Sequence, residues 1–217
     1  MPTLLDVMNF IGTIAFAIAG ALVAVRHEMD VFGVNILAVI TATGGGMIRD
    51  IIMGEIPPAM FRDPFYVLVS VCAANIVFFY LFYRKRLPES VAHVYENALF
   101  LSDTLGLAAF TVGSTLKGFR DDPDNPLFFI VFLGVVTGVG GGLLRDICAN
   151  TIPRIFVKRV YAVASILGAL VTGCMLKFLH IGDTIPALAG ASVVVILRLL
   201  ASHYRWNLPR IRSGESA

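Results

Sequence analysis

Charge is what this chain has least of. Asp, Glu, Lys and Arg make up 15% of its 217 residues, where a soluble domain carries about a quarter. With 57% hydrophobic residues and a mean hydropathy of +0.81, an ordinary water-soluble globule is excluded, and an all-α polytopic membrane protein is indicated. Cysteine is scarce too. Cys72, Cys148 and Cys174 are odd in number, fall in apolar runs and show no CxxC spacing, which excludes a disulfide framework or a thiolate metal site. They read as small core residues. The four histidines flank the apolar runs without metal-ligand spacing, so no metal is expected. No phosphate-binding loop and no nucleophile–base set is present. Basic residues cluster only beside apolar runs, so neither an enzyme, a cofactor nor a nucleic-acid partner is expected. The N-terminus lacks a basic n-region, and the run behind it is too long for a signal peptide, so a retained first span is expected.

What is abundant is the long apolar run. About seven segments approach the ~20 residues needed to cross a bilayer. They run roughly 4–25, 32–53, 65–83, 94–116, 127–149, 160–179 and 185–202. The links are short, so 1–204 reads as a single transmembrane domain, followed by a basic tail at 205–217. With the N-terminus outside, ten basic residues fall inside: Arg26, Arg84, Lys85, Arg86, Arg154, Lys158, Arg159, Arg205, Arg210 and Arg212. Four fall outside: Arg62, Lys117, Arg120 and Lys177. The positive-inside rule therefore predicts N-out, C-in, with lipid as the surrounding partner.

The second and fifth runs share a motif. Thr41-Ala-Thr43-Gly44-Gly45-Gly46-Met-Ile-Arg49-Asp50 returns as Thr137-Gly-Val-Gly140-Gly141-Gly142-Leu-Leu-Arg145-Asp146, 96 positions later. At the same offset Pro57 meets Pro153 and Arg62 meets Lys158; at 94, Asn9 meets Asp103, Gly12 meets Gly106 and Phe16 meets Phe110. Repeat one covers about 4–84, repeat two about 93–179, and a seventh helix at about 185–204 stands outside. An odd number of spans per repeat inverts the second copy, the plan of many secondary transporters.

Each helical glycine costs roughly 1 kcal/mol against alanine, so two triplets at mid-membrane depth need a reason. One is a helix break. Unwound backbone is tolerated at that depth where it lines a wet cavity, and freed carbonyls then meet a cation while Thr41, Thr43 and Thr137 add hydroxyls. The other is close helix packing. Both remain open on the residues alone. Arg49, Asp50, Arg145 and Asp146 are ionisable groups within the bilayer or near its edge. Neighbours on a helix point about 100° apart, so crosswise bracing is expected, Arg49 with Asp146 and Arg145 with Asp50. Snorkelling is the alternative. Asp103, flanked by Ser102 and Thr104, is a mid-span carboxylate and a path candidate. Arg198, one turn from a span end, is expected to snorkel.

The paired Gly-Gly-Gly-x-x-Arg-Asp motifs, Phe16–Ala21, Asp30-Val-Phe-Gly33 and Asp103–Leu107 resemble the prokaryotic TRIC-type (trimeric intracellular cation) channels, over roughly residues 5–200. These share a domain with bacterial proteins described as glycine transporters. The resemblance implies seven helices in two inverted three-helix repeats plus one. It implies a homotrimer in the prokaryotic plasma (inner) membrane, with one potassium-conducting pore per subunit. It places the pore at broken second and fifth helices, at Gly44, Gly45, Gly46, Gly140, Gly141 and Gly142. The animal members' pore lysine has no counterpart in either helix here. The expected function is a potassium-permeable channel; the alternative is a transporter of a small zwitterion such as glycine.

Overall fold

The computed structural model describes residues 3–83, 89–157, 160–179, 181–204 and 206. Of the residues expected on the inner face, Arg84, Lys85, Arg86, Lys158, Arg159, Arg205, Arg210 and Arg212 lie outside this set, as does the tail at 205–217 apart from Trp206. The described residues form helices α1 (Leu4–Arg26), α2 (Val31–Ile52), α3 (Ala59–Arg62), α4 (Phe65–Tyr83), α5 (Glu89–Asp121), α6 (Leu127–Cys148), α7 (Arg154–Val157), α8 (Tyr161–Cys174, continuing as a π turn, Met175–Leu179) and α9 (Thr184–His203). Seven of them are long and apolar enough to cross a membrane. α1 opens on a capping box, in which Thr3 Oγ1 accepts from Asp6 N and the Asp6 carboxylate from Thr3 N, a reciprocal device that satisfies two orphan donors.

The core is built at helix crossings that glycine and alanine permit. α1 meets α5 through matched contacts. The Phe110 ring covers Gly12 and the Phe16 ring covers Gly106, with ring centroids 5.4 Å apart. α2 meets α6 at the triplets. A β-carbon at Gly45 would strike the Thr137 carbonyl oxygen, and one at Gly141 the Thr41 carbonyl oxygen. One at Gly44 would lie 2.5 Å from Leu144 Cδ1, and one at Gly140 3.3 Å from Ile48 Cδ1. Each contact in one half is mirrored in the other.

This overturns the expected helix break. Both α2 and α6 run unbroken through their glycines. Gly45, Gly140 and Gly141 let one backbone touch the other, and Gly44 admits the Leu144 side chain, the small-residue contact that drives helix association in lipid. The cysteines also depart from expectation. Cys72 and Cys148 are exposed and Cys174 is half-buried, because α4 and the ends of α6 and α8 turn these positions away from the crossings.

Candidate functional site

Both repeat helices end in the same way. After α2, Gly54 N donates to Ile51 O and Glu55 N to Asp50 O; after α6, Asn150 N donates to Ile147 O and Thr151 N to Asp146 O. This is a Schellman closure. It needs a left-handed residue, supplied by Gly54 (φ 75) and Asn150 (φ 53). The closure turns the chain back over its own aspartate. Asp50 Oδ2 accepts from Ala59 N at 2.9 Å and Asp146 Oδ2 from Arg154 N at 2.8 Å.

The second oxygen of each carboxylate takes the preceding arginine. Asp50 Oδ1 accepts from Arg49 Nε and Nη2 at 2.9 and 2.7 Å, and Asp146 Oδ1 from Arg145 Nε at 2.8 Å. The expected crosswise pairs are therefore not formed. The 100° offset is real, but an arginine side chain is long enough to fold back across it, and the backbone amide holds the carboxylate in place to receive it.

Beyond this shared frame the halves diverge. In the first half Arg49 Nη1 reaches Ser114 Oγ at 3.4 Å. Lys117 Nζ lies 3.4 Å from Asp50 and 2.7 Å from Glu55. Beside them lies a cavity of about 80 Å³, lined by Asn9, Thr43, Gly46, Arg49, Asp50 and Tyr66 among others. In the second half Arg145 is fully buried. Its Nη1 donates to Asp103 Oδ1 at 2.7 Å, and Arg198 Nη2 donates to Asp103 Oδ2 at 3.0 Å. Arg198 Nε also meets Thr104 Oγ1 at 3.2 Å. Its guanidinium stacks on the rings of Tyr161 and Phe100, 4.5 and 5.0 Å from their centroids.

Arg198 thus does not snorkel. It is 6% exposed, drawn inward because Asp103 would otherwise be a buried anion with a single counter-ion. Asp103 itself is sealed, bound by both arginines. The hydroxyls of Thr41, Thr43, Thr137 and Ser102 donate to their own helices, at Leu37 O, Val39 O, Leu133 O and Ala98 O. Of these four side chains, Thr43 lines the cavity. Among the described residues no cluster of His, Cys, Asp or Glu could hold a metal.

Two residues escaped the sequence reading, Tyr66 and Tyr161. They stand 95 positions apart, one short of the motif offset, near the starts of α4 and α8. Tyr66 lines the cavity in the first half; Tyr161 lies against Gly142 in the second. An offset search that allowed one residue of slippage would have found the pair.

The glycine transporter family model matches residues 6–82 and 100–177, one stretch per half. The UPF0126 inner membrane protein YadS of Escherichia coli is 33% identical over 209 residues, covering 96% of this chain and 97% of the relative. YvgT of Bacillus subtilis, a UPF0126 membrane protein, is 33% identical over 204 residues, 94% and 95% of the two chains. Among solved structures, a TRIC cation channel matches with TM-score 0.81 at 31% identity, over 99% of this chain and all of that one. The trimeric intracellular cation channel orthologue from Rhodobacter sphaeroides matches with TM-score 0.83 at 28% identity, over 94% and 100%. The two-halved match, together with full-length relatives at this identity, places the chain in the glycine transporter (UPF0126) family of membrane proteins, with a TRIC-like fold.

Proposed function

We propose that this protein is a potassium-permeable monovalent cation channel with one path in each subunit, running along the α2–α6 crossing. The observation that carries the reading is the whole-length likeness to solved TRIC cation channels. The local chemistry is consistent with it. The first-half cavity reaches the third glycine of α2, and the charges around it balance, Arg49 and Lys117 against Asp50 and Glu55. Lone pairs on Thr43, Asn9 and Tyr66 can replace part of an ion's hydration shell. We place residues 1–204 in one inner-membrane domain of two inverted repeats plus α9, with the N-terminus outside. The cavity then opens outward and the Arg145 cluster faces the cytoplasm. We assign a homotrimer. α4 buries little of itself within the subunit and presents Leu68, Ile76, Phe79 and Phe82 outward, a surface for lipid or neighbouring subunits.

One observation favours a second reading. Arg49 lines the cavity, and a guanidinium beside an open polar space suits the carboxylate of a zwitterion such as glycine. Reconstitution in proteoliposomes separates the two. Unitary currents in a potassium gradient support the channel. Saturable radiolabelled glycine uptake without resolvable conductance replaces it with the transporter.

A further inference from the structure

The repeat sets Gly46 against Gly142, and the two differ in what they face. A β-carbon at Gly46 would meet only Arg49 Nη2, at 3.8 Å, and Gly46 lines the open cavity. A β-carbon at Gly142 would lie 2.8 Å from Tyr161 Oη and 3.7 Å from Arg145 Nη2. The phenol therefore fills the space whose counterpart is open.

Tyr161 is 2% exposed, and its Oη has no hydrogen-bond partner among the described residues. Arg145 Nη2, although 2.8 Å from Asp146 Oδ1, makes no aligned hydrogen bond either. Two polar atoms thus face the third glycine of α6 unsatisfied. Burying a hydroxyl without a partner is unfavourable, and phenylalanine would fill the same volume without that cost. A second state that opens this space would give the hydroxyl its partner. Water reaching Gly142 would satisfy both atoms.

The helix that carries Tyr161 departs from regular α-helical geometry at both ends. α8 starts without a side-chain cap, directly after Val160 in the left-handed region (φ 59), a strained conformation for a β-branched residue. It ends in the π turn Met175–Leu179, a geometry associated with functional sites.

We propose that Tyr161 is the closing residue of the second half-path: its phenol occupies, against Gly142, the space that stands open at Gly46, and its withdrawal with the start of α8 admits water and the permeating ion to Gly142. This rests on the channel reading for its ion, but not for its water.

The test separates the two. Cys72, Cys148 and Cys174 are replaced by alanine, Gly142→Cys is introduced, and the product is combined with either Tyr161→Ala or Tyr161→Phe. Neither partner carries the hydroxyl that would crowd the new thiol. In membrane vesicles a charged, impermeant methanethiosulfonate reagent is applied to each face in turn. The thiol should react about tenfold faster with Ala at 161 than with Phe, from the face that carries the α6 C-terminus. Equal rates from that face overturn the proposal whether or not the protein conducts. Wild-type currents test the channel reading separately. Where they are seen, Tyr161→Phe in the otherwise native chain should lower open probability by about threefold, because the closed state loses its unpaired hydroxyl. Unchanged open probability in that variant, which keeps the ring volume and needs no tolerance of a cavity, overturns the gating role even if Tyr161→Ala fails to assemble.

Discussion

Around Gly46 the first half keeps a cavity of about 80 Å³, with Asn9 and Tyr66 on its wall. Around Gly142 the second half is filled by Tyr161. The backbones that produce these opposite outcomes are alike: the same glycine crossing, the same Schellman closure, the same aspartate bridging an arginine to a returning amide. The difference traces to one pair in the repeat, Asn9 and Asp103. A neutral amide leaves Arg49 to its own aspartate and to Ser114. A carboxylate draws in Arg145, then Arg198, and with Arg198 comes the seventh helix, for which the first half has no counterpart. Asp103, the Arg198 that pairs with it and the Tyr161 ring thus set the closed side of a symmetric scaffold apart from the open one.

The most severe way to break this comparison is Asp103→Asn. It leaves Arg145 with Asp146 alone and the buried Arg198 without a carboxylate, and removing one partner of a buried charge cluster costs about 3–5 kcal/mol. A large fall in melting temperature, read by size-exclusion chromatography after heating in detergent, is expected. The mirror change Asn9→Asp enters an open cavity and should cost less than about 1 kcal/mol. Equal losses would mean the halves are not electrostatically distinct.

Next come Gly45→Ala and Gly141→Ala. Each drives a methyl into the opposite helix's carbonyl, an overpacking cost of roughly 2–3 kcal/mol. The two melting shifts should agree, because the crossing is symmetric; a marked inequality would show that it is not. The third glycines should behave differently. Gly142→Ala presses on Tyr161 Oη and should destabilise by about 1 kcal/mol. Gly46→Ala meets no close atom, and the better helix propensity of alanine should make it neutral or stabilising by up to about 1 kcal/mol. The sign difference is the sharpest single reading of open against closed. The smallest effect belongs to Lys117→Met, which removes a partly exposed ion pair with Glu55; pairs that reach solvent are worth about 0–1 kcal/mol, and Asp50 keeps Arg49 as its counter-ion. Stability should barely move, while single-channel conductance at low salt should change more than at high salt, since screening hides mouth charges.

Much of this was written in the sequence because the repeat is. Hydropathy marks the seven spans, and the offsets of 94 and 96 residues align Asn9 with Asp103 and Arg49 with Arg145. The glycine triplets were legible as a site but ambiguous in meaning. A glycine that lets a helix unwind and one that lets two helices touch are the same residue, and the choice depends on what stands opposite, here the Thr137 and Thr41 carbonyls. The arginine–aspartate pairing does not follow from Cβ directions alone, because it depends on side-chain length and on the Asp50 carboxylate held by the Ala59 amide. Span position puts Arg198 at the interface, while its partner lies 95 residues earlier in the chain. Such pairings are set by tertiary contact.

The Asp103 cluster also has a mechanical consequence. Two carboxylates, Asp103 and Asp146, and two guanidiniums, Arg145 and Arg198, cancel one another inside the apolar layer. Any displacement that separates them strands a charge in hydrocarbon, at a penalty far above thermal energy. Helices α5, α6 and α9 are therefore locked into one block that shifts together or not at all. In the second half α8 is the long repeat helix outside this block, contributing a ring to the cluster and no charge.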